Sequence, residues 1–207
     1  PWIAPITQTA VDHLSVYELT IEARTAFGKR TAAGRLAPHD DDTLAALYVA
    51  TDDALRAAGF EHYEISSYAR PGRRAVHNSL YWRGAPYLGL GVGAASLALH
   101  EGGGGRRQTN PRRATAYLAA PGAPAEAEDL DASALALERA WLGMRTSDGV
   151  PAGWLAAMPQ VVDELLAGGL VVAREGRICP TLQGFLFADR IAARIVQAWG
   201  DGSGGGG

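Results

Sequence analysis

Cysteine is almost absent: the one thiol in 207 residues, Cys179, has no partner for an intrachain disulfide and cannot form a multi-thiolate metal site. Long apolar runs are absent too. No stretch approaches the roughly 18 to 20 uncharged apolar residues of a membrane helix, and no basic region followed by an apolar segment opens the chain. A cytoplasmic protein without a transmembrane segment is therefore expected. Acids are missing from the middle of the sequence, where eight arginines (Arg70, Arg73, Arg74, Arg83, Arg106, Arg107, Arg112, Arg113) stand against one acid, Glu101. From Glu126 to Trp199 the balance reverses to ten acids and six arginines, so the net charge is only −3. What remains is ordinary for one or two globular domains, with 47% apolar and 20% charged residues.

The order of elements points to α/β architecture. Leu14 to Glu22 (LSVYELTIE) carries apolar side chains on both strand faces, the pattern of a buried parallel strand. Asp40 to Thr43 offers capping oxygens and negative charge to a helix anchored by Leu44, Leu47, Tyr48, Thr51 and Leu55, with Gly59 placed for a left-handed C-terminal cap. A second strand is expected over His62–Ala69 and a third over Tyr87–Ser96. Ala119 to Asp129 (AAPGAPAEAED) reads as a linker that closes a first domain at residue 119. The domain expected over 130–199 has a helix from about Ser133 to Met144, helical segments around Pro151–Met158 and Gln160–Ala167, and a hairpin of Leu170–Arg174 with Arg177–Cys179. A helix over Thr181–Trp199 completes the plan of a small winged helix. The start at Pro1 and the Gly-Ser-Gly-Gly-Gly-Gly end suggest a fragment with a flexible tail over 200–207.

Several motifs then agree in order: HLSVYELTIE (His13–Glu22), GFEHYEISSYARPG (Gly59–Gly72) running into HNSLYWRG (His77–Gly84), and YLGLGVGAAS (Tyr87–Ser96). With ERAWLGMRTSDGV (Glu138–Val150) and DELLAGGLV (Asp163–Val171), they cover nearly the whole chain. Together they resemble the radical S-adenosyl-L-methionine family of oxygen-independent coproporphyrinogen III oxidases and heme chaperones. The His-Asn-x-x-Tyr-Trp run at His77, Asn78, Tyr81 and Trp82 is similar to the heme chaperone branch. The resemblance implies the C-terminal part of an incomplete (β/α) radical SAM barrel, followed by the family's winged-helix-like domain. It also implies a 4Fe-4S cluster and S-adenosyl-L-methionine in full-length members. The three-cysteine loop that holds the cluster in that family is not in this sequence, so the chain is not expected to be active alone.

On that resemblance, His77 offers an imidazole nitrogen to heme iron, Tyr81 and Trp82 lie against the porphyrin face, and Asn78 orients the ring or caps a turn. Arg106 and Arg107, among the arginines nearby, suit the propionates. The alternative for His77 is a hydrogen-bonded loop histidine with Tyr81 and Trp82 as core aromatics. Gly89, Gly91 and Gly93 alternate with Leu88, Leu90 and Val92, so on a strand they would bare one face to a flat ligand, or to a helix or tight corner packed there. Matching to the oxidase branch puts Thr20 and Ala95 where S-adenosyl-L-methionine is contacted. Glu18 and Glu64, expected to be buried, call for ion pairs with arginine or a catalytic use. Cys179 reads as an inert small side chain.

The function implied is binding of heme or a porphyrin for transfer to an acceptor protein. Oxidative decarboxylation of coproporphyrinogen III is the alternative. A winged-helix nucleic-acid binder is a third possibility, disfavoured because the candidate recognition helix carries Asp163 and Glu164 without a basic residue, whereas phosphate neutralisation requires cations.

Overall fold

The computed structural model describes residues 9–203 together with Ile3 and Pro5, with residues 201–203 described by backbone alone. It divides into two compact units, the first ending at Arg74 and the second beginning at Ala75.

The first unit contains β1 (His13–Ser15), α1 (Ala26–Ala32), α2 (Asp41–Ala57), β2 (Glu61–Glu64) and β3 (Ser67–Ala69). Helix α2 starts within the acidic run, because the Asp40 carboxylate accepts the Thr43 N–H at 2.7 Å and Asp41 and Asp42 lie in the first turn, at the positive end of the helix dipole. Hydrogen bonding from the Thr43 side chain, and then from its backbone N–H, holds the Asp40 carboxyl below the usual carboxylate range. The helix stops in a paired C-terminal cap: Gly59 at φ +85° donates to Arg56 O at 2.9 Å, and Phe60 donates to Leu55 O at 3.0 Å. Leu55 and Phe60 are then both buried, with Tyr68, as the unit's core.

Three sequence expectations change in this unit. The strand expected over Leu14–Glu22 ends at Ser15, with one further bond from Val16 N–H to Ser66 O at 2.8 Å. Beyond it Tyr17 and Leu19 are exposed, and no strand among the described residues pairs with them. The strand expected over His62–Ala69 is a hairpin that turns at Ile65–Ser66, where the Glu64 carboxylate accepts the Ser66 N–H at 3.3 Å. The sheet order is β1-β3-β2 and both pairings are antiparallel, not the parallel arrangement expected.

The second unit contains α3 (Val76–Trp82), β4 (Ala95–Leu99), β5 (Gly105–Thr109), α4 (Ala114–Ala119), β6 (Glu126–Leu130), α5 (Ala132–Gly143), β7 (Val150–Pro151), a 3-10 turn (Ala152–Leu155), α6 (Pro159–Ala167), β8 (Val171–Arg174), β9 (Arg177–Pro180), α7 (Leu182–Leu186) and α8 (Ala188–Ser203). Its sheets, β4-β5-β6 and β7-β9-β8, are antiparallel. The second half of the stretch expected to be a linker is β6, paired along its length with β5. The break between units falls instead between Arg74 and Ala75. Residues 200–203, expected in the flexible tail, continue α8, and the rest of that tail lies outside the described residues.

The core of this unit sits between α5, α6 and α8. Ala140 and Met144, Val161 and Leu165, and Ile191 and Ile195 are each spaced by four residues, which puts both members of each pair on one helical face, and all six are buried. Ile191→Ala removes a fully buried side chain from this cluster and is expected to cost about 3 kcal/mol, read from the shift of the urea midpoint. The β8–β9 hairpin turns through Glu175 at φ +49° and Gly176 at φ +72°, the two positive angles of a type I′ turn. Glutamate is strained there. Glu175→Asn is expected to raise stability by about 0.5 to 1 kcal/mol in a thermal melt, because asparagine tolerates the left-handed region better.

Candidate functional site

His77, Asn78, Tyr81 and Trp82 all lie on α3, not in a loop. Their one-and-four spacing places His77 and Tyr81 on one face, with Asn78 and Trp82 a residue further round. The helix ends in a second paired cap, Gly84 N–H to Tyr81 O at 2.9 Å and Ala85 N–H to Leu80 O at 3.0 Å. A side chain at Gly84 would collide with Arg139 of α5, whose Nη2 donates to Gly84 O at 3.4 Å, so the C-terminal end of α3 is held against α5.

The rings of this helix form a ladder. His77 meets Tyr81 edge to face with centroids 4.8 Å apart, and Tyr81 meets Tyr87 in the same manner at 4.5 Å. The imidazole of His77 is exposed and has no hydrogen-bond or ion-pair partner among the described residues, which departs from the hydrogen-bonded alternative. Trp82 is partly buried, and its Nε1–H is a buried donor without an acceptor. Arg83, next in sequence, is exposed with no side-chain partner among the described residues. The last turn of α3 and its cap therefore carry one buried donor without an acceptor, at Trp82, and one exposed guanidinium open to an anionic group, at Arg83.

Arg106 and Arg107 are placed differently from the expectation. Arg106 holds Asp129 at 2.9 Å across the β5–β6 pair, and Arg107 holds Glu138 at 2.6 Å and Glu128 at 3.6 Å. The bond to Glu138 raises the affinity of the Arg107 guanidinium for its proton. Two of the arginines counted as surplus are thus neutralised by the acids that follow them in sequence.

Gly89, Gly91 and Gly93 are not on a strand, and their alternation bares no face. At Gly89 a Cβ would fall 2.1 Å from Ala95 O, so the missing side chain makes room for the chain's own backbone. Gly91 and Gly93 take positive φ angles of 99° and 66° inside an irregular loop. Ala95 opens β4 beside it. Thr20 belongs to the first unit and is exposed in irregular chain, as is Glu18, whose expected burial is not observed. Glu64 is buried, and the bond it accepts comes from Ser66 N–H in place of the expected arginine. Cys179 is buried with its Sγ 3.3 Å from Asp148 O, a structural role. A cavity of about 220 Å³ lined by Leu165, Leu170, Gln183, Phe187 and Arg190 contains none of the sequence-predicted residues.

One polar cluster was invisible in the sequence. In the first unit, Asp52 Oδ1 faces His62 Nδ1 at 2.8 Å while Oδ2 accepts from Arg56 Nε at 2.7 Å. Tyr48 Oη lies 3.4 Å from His62 Nε2 and donates to Ile65 O at 3.0 Å, and Tyr68 stacks on His62 with centroids 4.1 Å apart. Burial alone would raise the Asp52 carboxyl, but the bonds from His62 and Arg56 outweigh it and hold it low. Burial, with the Asp52 charge, pushes the Tyr48 and Tyr68 phenols up. His62 is closed in by Asp52 and the Tyr68 ring with its side chain fully buried, so the cluster braces the sheet against α2 and offers no open face to a substrate. Residues 52 and 62 face each other across a helix cap and a strand, and no sequence period links them.

Comparison with known proteins places this geometry. The fold matches that of coproporphyrinogen III oxidase (HemN) from Escherichia coli, described as a radical SAM enzyme, with TM-score 0.66 over 93% of this chain and 50% of that one at 17% identity. The class is thus a mixed α/β chain with the fold of a radical SAM protein. Heme chaperone HemW of Mycobacterium tuberculosis (strain CDC 1551 / Oshkosh) is 38% identical over 194 residues, 91% of this chain and 48% of the relative. Heme chaperone HemW of Synechocystis sp. (strain ATCC 27184 / PCC 6803 / Kazusa) is 37% identical over 155 residues, 72% of this chain and 36% of the relative. The chain belongs to the radical SAM family of oxygen-independent coproporphyrinogen III oxidase-like proteins, in its HemW branch. It spans about half the length of the mycobacterial relative. No protein-family model matches it.

Proposed function

We propose that this chain is the heme-carrying part of a heme chaperone, binding heme through α3 for transfer to an acceptor protein. The observation that carries the reading is the open imidazole of His77 at the end of the His77–Tyr81–Tyr87 ladder, on a helix followed by the exposed Arg83. An imidazole nitrogen is a ligand for heme iron, ring edges suit the porphyrin periphery, and a propionate accepts from the exposed Arg83 guanidinium. Asn78 shares the face of Trp82 and would orient the same group.

Of the finer architecture, the reading keeps a winged-helix-like domain over residues 130–199 and leaves the incomplete (β/α) barrel to the full-length protein, because the described strands of this chain pair antiparallel. S-adenosyl-L-methionine and a 4Fe-4S cluster belong to the full-length proteins of this reading. The residues of this chain do not fit the cluster, since its one cysteine is buried and no group of three or more His, Cys, Asp or Glu among the described residues is arranged to hold a metal. No step is assigned to it. No helix among the described residues is long and apolar enough to cross a membrane, and the reading puts the protein in the cytoplasm. Nucleic-acid binding is disfavoured by the hairpin arginines, because Arg174 and Arg177 donate to the carbonyls of Ser147, Asp148 and Gly149 and are not free for phosphate.

Titration of hemin followed by Soret absorbance is expected to saturate at one heme per chain. Arg83→Ala should weaken binding about threefold to tenfold, more at low salt, with the band position kept, as loss of an exposed charge-assisted contact does. Arg106→Ala, which removes an arginine already paired with Asp129, should leave the affinity unchanged. A chain that takes up no hemin, or takes it up without saturation, contradicts the reading.

A further inference from the structure

The loop from Leu88 to Ala94 is irregular in shape yet tied at Gly89, Gly91, Gly93 and Ala94. The Gly89 N–H donates to Ser96 Oγ at 2.9 Å, the Gly91 N–H to Tyr117 Oη at 3.1 Å, and the Gly93 N–H to Pro111 O at 3.1 Å. Asn110 does most of the pinning: its Nδ2 donates to Gly89 O at 3.1 Å and to Gly91 O at 2.9 Å, and its own N–H donates to Ala94 O at 2.9 Å. A loop bound this way does not adjust to solvent, yet it presents Leu88, Leu90 and Val92 at 77%, 79% and 50% exposure. Fixed backbone with exposed aliphatic side chains is the composition of a contact surface built in advance of its partner. The surface is continuous with α3, because the loop leaves directly from Tyr87, whose ring rests on Tyr81 beside His77.

We infer that Asn110 is a positioning residue for heme binding, holding the Leu88–Val92 loop so that its aliphatic side chains meet the apolar face of the porphyrin. The inference rests on the reading of His77 and α3 above. Asn110 touches no iron and no propionate; it acts through the loop, with Tyr117 and Ser96 as secondary ties. The glycines are needed for the shape of the loop, and the leucines make the contact.

The test is hemin titration of the whole chain with Asn110→Ala and, separately, Leu90→Ser. Leu90 is exposed, so its substitution leaves the fold intact, which thermal melting of the heme-free chain verifies. Both variants are expected to bind hemin about tenfold more weakly with the Soret position of the wild type, and Asn110→Ala should also speed amide exchange at Gly89 and Gly91. Wild-type affinity in Leu90→Ser and Asn110→Ala overturns the inference and leaves the His77 reading intact. Altered self-association of Leu90→Ser in sedimentation, with unchanged hemin affinity, also overturns it and makes the loop a protein contact. Failure of the wild-type chain to bind hemin overturns the underlying reading itself.

Discussion

Asp52→Ala is expected to destabilise the first unit by about 3 kcal/mol, since it leaves a buried histidine without the carboxylate that orders it. The Asp52 side chain accepts from His62 at 2.8 Å and from Arg56 at 2.7 Å, and the His62 side chain is fully buried. Amide exchange at β2 and β3 under native conditions, with urea melts, should report the loss as a lower protection of these strands. The pH dependence has a definite sign. The folded-state carboxyl is held below its unfolded value, so its contribution is present above about pH 4 and is lost as pH falls through the depressed value. Asp52→Asn should flatten that acid limb. An Asp52→Ala protein as stable as the wild type, with the same acid limb, would show that the cluster is ornamental.

His77→Ala is expected to shift the Soret band of the heme complex and to lower affinity by at least about tenfold, the loss of one strong ligand. The imidazole has no competing hydrogen bond to break, and its removal leaves Tyr81 and Tyr87 still in contact at 4.5 Å, so the variant should fold. His77 is also exposed, which limits the stability change to a few tenths of a kcal/mol by the usual behaviour of surface substitutions. Affinity, band position and stability thus separate here, whereas a folding role would move all three together.

Elements whose determinants are close in sequence were legible. The cap at Asp40, the helix that follows it and its stop at Gly59 need only the local run of side chains and backbone groups. The Glu175–Gly176 turn and the helix around Gln160–Ala167 follow equally short-range rules. The family was legible as well, because it rests on motifs in order and not on any one contact. What was misread depended on partners distant in sequence. Alternating leucine and glycine from Leu88 to Gly93 imitates the period of a strand, but Asn110 and Tyr117 fold it into a loop. The surplus of arginine vanished in part because β5 and β6 pair, setting Arg106 opposite Asp129 and Arg107 opposite Glu128. The hairpin at Ile65–Ser66 has neither glycine, asparagine nor proline to announce it, and a side chain two residues back, Glu64, supplies the turn's hydrogen bond.

The central claim is that α3 supplies the iron ligand, and electron paramagnetic resonance of the ferric heme complex tests it most directly. The wild-type chain should give the signal of histidine-ligated iron, with hyperfine splitting from the imidazole nitrogen when nitric oxide is bound to the reduced form, and His77→Ala should lose that splitting while Asn110→Ala keeps it. Histidine ligation that persists unchanged in His77→Ala would contradict the account and move the heme to another part of the molecule.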